Sequence, residues 1–154
     1  MAVSSILRKD CCILELQGKN KKDVIHEIGE GLKRTKKIKD YQQFIKDVLK
    51  REKLGSTGIG NKIAIPHART DSVKDIVIGF GKTKPGIDFK ALDGEKVNLI
   101  FLMGANPKQL NLYLRILAEI SKLLMNEGFR QSLLEAKDAN KIINTIKHFE
   151  SNLK

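Results

Sequence analysis

The chain has 154 residues, 41% hydrophobic and 31% charged, the balance of one ordinary domain with enough apolar material for a core without metals or disulfides. No apolar run approaches the roughly 18 residues needed to span a bilayer, and the N-terminal MAVSSILRKD is too short an apolar stretch for a secretory signal, so the sequence predicts a single cytoplasmic domain over 1–154 with no membrane insertion. The net charge of +11 comes from 29 basic and 18 acidic residues, but the lysines are spread from Lys9 to Lys154 and interleaved with acids, and aromatics are 5% with no Trp, which leaves no stacking platform for bases and predicts no nucleic-acid partner.

Cys11 and Cys12 are adjacent, so in an extended strand they point to opposite faces and do not bridge each other. They read as one buried and one half-buried thiol. The run Cys12 to Leu16 predicts a first strand ending near Gly18. Val24, Ile25, Ile28 and Leu32 repeat at helical spacing, with His26 off that stripe and expected to be exposed. The dense basic run Lys33 to Lys39 follows as a loop. Asp40 and Gln43 have capping spacing for a second helix with Tyr41, Phe44, Ile45, Val48 and Leu49 on its apolar face and Gly55 as its C-terminal cap.

Gly55 to Asn61 holds three glycines and two hydroxyls, a loop between that helix and a short strand, Lys62 to Ile65, stopped by Pro66. Asp75 to Lys82 predicts a strand with Ile76, Ile78 and Phe80 on one face and Val77 on the other; 86–94 reads as loop. Val97 to Met103 is a nearly continuous apolar run, as in a central strand covered on both faces. A long helix from about Pro107 to Met125 carries Leu110, Leu114, Leu117 and Leu124 on one side and Ile116, Ile120 and Leu123 on an adjoining one, a stripe wide enough to predict a largely buried helix. Helices over about 127–137 and 138–150, the second capped by Asp138, end the chain. The mixture predicts an α/β domain.

Of the three histidines, His26 and His148 lie on helices and read as solvated or partly packed. His67 stands directly after Ile65-Pro66, at the rim of a strand, with the glycine-rich loop just before it. A neutral imidazole, with an ordinary pKa near 6.5, is nucleophilic around neutral pH. It accepts a phosphoryl group on one nitrogen while a hydrogen bond holds the other. The transferring group spreads negative charge over its oxygens, so the chemistry needs donors and cations around it. Ser56, Thr57, the amides of Gly58 to Gly60, Arg51 and Arg69 are near in sequence and of the right kinds. On spacing alone, a histidine after Ile-Pro is more often a surface or packing residue, and Ser56 and Thr57 are ordinary turn residues. Gly81-Lys82-Thr83 ends like a phosphate-binding loop, but Ile76 stands where its first glycine belongs. Gly55 to Gly60 follows a helix and precedes a strand, the reverse of a dinucleotide-binding turn. Two neighbouring cysteines with no companion cluster complete no metal site.

Read whole, the stretch from Arg51 through Gly55-Ser56-Thr57-Gly58-Ile59-Gly60 to Ile65-Pro66-His67-Ala68-Arg69 resembles the type-2 IIA family of the phosphotransferase system, which includes mannitol- and fructose-specific IIA domains and nitrogen-type regulators. The resemblance continues through Ile87-Asp88-Phe89, the strand at Val97 to Met103, Leu117-Ala118 and the segment from Phe129 to Asp138. It implies a mixed β-sheet with helices on both faces. It implies that His67 is phosphorylated and that Arg51 neutralises the phosphoryl group, with no metal and no organic cofactor; the nearby hydroxyls of Ser56 and Thr57 and the amides of Gly58 and Gly60 are expected to support that group. The implied donor is phospho-HPr or a nitrogen-type equivalent, and the implied acceptor a IIB domain of a sugar transporter. The alternative is a stand-alone nitrogen-type regulator whose phosphorylation state controls a target protein. One position departs from the pattern: where the family carries a second histidine in His-Leu-x-x-Leu-Ala, this chain has Tyr113-Leu114-Arg115-Ile116-Leu117-Ala118. Tyr113 can donate one hydrogen bond but is neutral at pH 7.

Overall fold

A mixed β-sheet organises the molecule, and its central strand carries no charged residue. The computed structural model describes residues 2–153. In chain order the elements are α1 (Val3–Ile6), β1 (Cys12–Ile13), α2 (Lys21–Leu32), α3 (Tyr41–Leu54), β2 (Gly58–Gly60), β3 (Ile63–Ala64), β4 (His67–Arg69), β5 (Val77–Ile87), β6 (Val97–Ala105), α4 (Leu110–Leu124), α5 (Glu127–Glu135) and α6 (Ala139–Ser151). The order across the sheet is β1-β5-β6-β3-β2, with β4 also paired to β6. β5 and β6 are antiparallel, β1 is parallel to β5, and β3 and β4 are both parallel to β6. β2 turns back antiparallel on β3.

Residues directly opposite in an antiparallel pair share a face. Gly79 opposite Leu102 and Val77 opposite Gly104 therefore lie on one face, and the helices packed there are α2 and α3. A Cβ on Gly79 would stand 2.7 Å from Ile28 Cγ2, and one on Gly104 2.6 Å from Phe44 Cε1. The missing side chains let those helices approach closely. The other face carries Phe80 against Phe101, ring centroids 5.0 Å apart, and Lys82 opposite Leu99. The Lys82 ammonium donates to the carbonyls of Leu133, Leu134 and Ala136 at the end of α5, at 3.0, 2.9 and 2.5 Å. It thereby satisfies carbonyls the helix itself leaves open. Helices cover both faces of the sheet, the α/β arrangement expected from the sequence.

Local signals place most boundaries. Asp40 and Asp138 accept the amides of Gln43 and Lys141 as N-caps, and Asn20 and Asn126 cap α2 and α5 in the same way. Gly55 ends α3 with its N–H on the Glu52 carbonyl, but its φ of 163° is extended, not the left-handed cap glycine usually provides. Cys11 is buried and Cys12 half-buried, and burial raises their thiols to about 11 and about 12.

Several expectations shift. The first strand is only Cys12–Ile13, although Leu16 N–H still reaches the Lys82 carbonyl at 3.0 Å. β5 runs on to Ile87, into the expected loop, because Asn98 Nδ2 donates to the carbonyls of Thr83 and Lys84 across a register shift. Its residues are buried on both faces from Val77 to Thr83, so no alternation survives. His26 is not free in solvent: Tyr41 Oη stands 3.3 Å from its Nδ1 and donates to its carbonyl at 3.1 Å. The long helix is not largely buried. Leu110 is 42% and Leu114 53% exposed, while Tyr113, Ile116, Ile120, Leu123 and Leu124 form its buried face. Of the two adjoining stripes in the sequence, the isoleucine one turns inward, joined by Leu124.

Candidate functional site

The segment from Ile63 to Arg69 is one extended path along β6. Ala64 lies opposite Ile100 and His67 opposite Met103, so the register is unchanged across Ile65-Pro66. Pro66 has no N–H to give the ladder, but its carbonyl accepts from Met103 N–H at 3.0 Å. Pairing therefore resumes at His67 instead of ending at Pro66. Ile65 directs its N–H to the Thr57 carbonyl at 3.1 Å, and its own carbonyl lies 2.7 Å from His67 Nδ1. A carbonyl only accepts, so Nδ1 carries the proton and Nε2 keeps its lone pair.

His67 lies in a cavity of about 470 Å³ lined also by Arg51, Arg69, Tyr113, Leu54 and Pro107. Burial holds the imidazole below its ordinary value; Arg51 pushes in the same direction, while the Ile65 bond and the Glu52 charge oppose it. The resting ring is thus neutral at pH 7. Arg51, in the last turn of α3, donates to the Gly55 carbonyl at 2.9 Å. Arg69 donates to the Pro107 carbonyl at 2.9 Å. Tyr113, in the first turn of α4, is 8% exposed, and its ring meets His67 edge-on at 5.9 Å between centroids. Burial raises its phenol, with Arg51 and Arg69 acting the other way. Asp47, Lys50 and Asp71 also line the cavity.

The glycine-rich loop is placed differently. Ser56, Thr57, Gly58 and Gly60 are not among the residues lining the His67 cavity. The Ser56 hydroxyl donates to the Phe89 carbonyl and accepts from Gly58 N–H at 2.9 Å. Thr57, 3% exposed, gives both its N–H and its hydroxyl to the Glu52 carboxylate. A Cβ on Gly58 would be 2.9 Å from Ala91 Cβ. Gly60 has φ +98°, and Asn61 and Lys62 have φ 55° and 67°, the two positive central angles of a type I′ hairpin turn between β2 and β3. These glycines serve the hairpin and its packing.

Two residues near the site escaped the sequence reading. Glu52 is buried, its side chain 2% exposed, and pairs with Lys21 Nζ at 2.8 Å. The signal was present: Ile45, Val48 and Glu52 lie on one stripe of α3, so a carboxylate stands where the helix faces inward. Among the described residues no group of three or more His, Cys, Asp or Glu could hold a metal ion, and no helix is long and apolar enough to cross a membrane.

A sequence model of the phosphoenolpyruvate-dependent sugar phosphotransferase system, EIIA 2, matches residues 5–149. The chain belongs to this family. It is 40% identical over 146 residues to the fructose-specific EIIABC component of Bacillus subtilis (strain 168), matching 95% of this chain but 23% of that protein. It therefore spans about a quarter of that relative. It is 31% identical over 137 residues to a nitrogen regulatory protein of Pseudomonas aeruginosa, covering 89% of each. Among solved structures, the nitrogen regulatory protein IIA-Ntr of Neisseria meningitidis superposes with a TM-score of 0.87 at 28% identity, covering 94% of this chain and 98% of that one. The Escherichia coli mannitol IIA in complex with phosphorylated mannitol IIB has the same fold, with a TM-score of 0.79 at 18% identity, over 93% of this chain and 99% of that one. EIIA domains of this kind are phosphocarriers, and the family contains both sugar-transport and nitrogen-regulatory members.

Proposed function

We propose that His67 Nε2 is the phosphoryl acceptor and that this chain relays a phosphoryl group from a phosphohistidine on an HPr-like carrier, or a nitrogen-type equivalent, to a IIB domain. The observation that carries this reading is the 2.7 Å contact from His67 Nδ1 to the Ile65 carbonyl, which leaves Nε2 as the nucleophile in a cavity walled by Arg51, Arg69 and Tyr113. The Nε2 lone pair attacks phosphorus in line. The bond from phosphorus to the donor imidazole breaks, and that imidazole leaves with its electron pair. Arg51 and Arg69 neutralise the phosphoryl oxygens, and the Tyr113 hydroxyl donates to one of them. Because Nδ1 keeps its proton on the Ile65 carbonyl, phospho-His67 is an imidazolium and its ring leaves as neutral histidine in the onward step. Thr57 supports the group indirectly, through its bonds to Glu52 and Ile65, while Ser56, Gly58 and Gly60 hold the neighbouring hairpin. No metal or organic cofactor takes part.

The likeness to nitrogen regulatory proteins over 89% of each chain supports a second role for the same chemistry: phosphorylation of His67 switching the binding of a target protein. Incubation with phosphoenolpyruvate, enzyme I and HPr, followed by mass spectrometry, tests the shared chemistry. An acid-labile phosphate on His67, absent in folded His67→Ala, is expected. Persistent labelling of His67→Ala, or no label on the wild type with HPr and nitrogen-type donors both supplied, overturns the assignment. Capture by the unphosphorylated and phosphorylated forms then separates the roles: a IIB partner supports relay, a target outside the phosphotransferase system regulation.

A further inference from the structure

We propose that Glu52 is a positioning residue for phosphoryl transfer: its buried carboxylate, clamped between Lys21 and Thr57, fixes the turn that holds both His67 and Arg51 in register. This rests on the reading of His67 and Arg51 given above and deepens it. A carboxylate with a 2% exposed side chain is costly unless it is paired and hydrogen-bonded. Here it has a cation from α2, Lys21 Nζ at 2.8 Å, which also lies 5.2 Å over the Phe89 ring. It accepts the Thr57 amide at 3.2 and 3.3 Å and the Thr57 hydroxyl. Among the described residues, no buried side-chain polar atom lacks a partner, so this charge is fully accommodated.

The contacts continue to the chemistry in both directions. Through the loop, the Thr57 carbonyl takes Ile65 N–H at 3.1 Å, and the Ile65 carbonyl takes His67 Nδ1 at 2.7 Å. Through the helix end, the Glu52 carbonyl takes Gly55 N–H at 3.2 Å, and the Gly55 carbonyl takes Arg51 Nη1 at 2.9 Å. One residue thus anchors the backbone acceptor of the nucleophile's ring and the backbone acceptor of the guanidinium beside it. The Glu52 charge also acts on His67, opposing Arg51. The other charged or titratable groups facing that imidazole are Asp47 and Lys50 from α3, Arg69 and Asp71 from β4 and beyond, and Tyr113 from α4.

The test separates a positioning charge from a packing clamp. Glu52→Gln keeps an acceptor for Thr57 and removes the charge; Lys21→Met removes the neutralising cation and leaves the charge. Titration of the His67 ring by NMR in unphosphorylated protein is expected to move down in Glu52→Gln and up in Lys21→Met, although both variants lose thermal stability. Phosphorylation of Glu52→Gln by phospho-HPr is expected to slow by about 10- to 100-fold, the range for a reacting pair held slightly out of place. Equal stability losses with no opposed titration shifts, or a Glu52→Gln transfer rate within about twofold of wild type, overturn the proposal. Should Glu52→Gln fail to fold, the upward shift in Lys21→Met decides it. If the wild type is never labelled, the carrier reading fails, and the titrations still judge the link from Glu52 to His67.

Discussion

The Tyr113 ring stands edge-on to the His67 imidazole, with centroids 5.9 Å apart and planes at 60°, where the resemblance places a second histidine. Among the described residues nothing hydrogen-bonds the Tyr113 hydroxyl, so it is free to serve an incoming phosphoryl oxygen. Tyr113→Phe keeps the ring and its packing and removes only that donor. A neutral hydrogen bond contributes about 0.5–1.5 kcal/mol, so single-turnover phosphorylation is expected to slow by roughly 2- to 10-fold without loss of fold. Tyr113→His supplies a donor that can be charged and is expected to move the rate the other way. An unchanged rate in Tyr113→Phe would reduce the ring to packing.

Arg51 is a different case from Tyr113 because its charge is permanent and its fork is planar. Its guanidinium already gives one N–H to the Gly55 carbonyl and keeps others for the cavity. Arg51→Lys retains the charge but not the fork. Transfer is expected to fall by about 100-fold, with stability changed by no more than about 1 kcal/mol, because the side chain is only half-buried. Quench-flow transfer and a thermal melt on the same sample measure the two effects.

On the proposed chemistry, protonation of His67 Nε2 removes the nucleophile. Burial holds His67 below its ordinary 6.5, so the acid limb of phosphorylation against pH is expected to have its midpoint under that value. The stability sign follows from the same shift. Between the folded and unfolded values the unfolded chain binds more protons, so the His67 contribution rises with pH across that window and is lost as pH falls through it. His67→Gln is expected to flatten that part of the melting curve series relative to wild type, and identical slopes would place the shift elsewhere.

Ser56 holds the loop to Phe89 and takes the Gly58 amide, away from the cavity lining. Ser56→Ala is therefore expected to cost about 1–2 kcal/mol of stability and to leave the transfer rate constant within about twofold of wild type at 25 °C. A large fall in transfer with no change in melting temperature would bring the hydroxyl back to the phosphoryl group.

Features under local chemical control were legible in the amino-acid order. Asp40 and Asp138 announced helix starts because a carboxylate satisfies open amides wherever the fold puts it. The charge-free run of β6 announced a strand covered on both faces, and the motif ending Ile65-Pro66-His67 announced the family. Packing settled which stripe of α4 is buried, since Leu110 and Leu114 are as apolar as Ile116 and Ile120 and periodicity cannot rank them. It also decided that Arg69 shares the His67 cavity while Ser56 and Thr57, nearer in the motif to Arg51, do not line it. Proximity along the chain does not specify where a side chain's hydrogen bonds go. Thr57 turns inward because Glu52 lies buried beneath it, and that carboxylate is held there by Lys21, 31 residues away on another helix. The contact that joins them forms only once α2 and α3 pack together on the sheet.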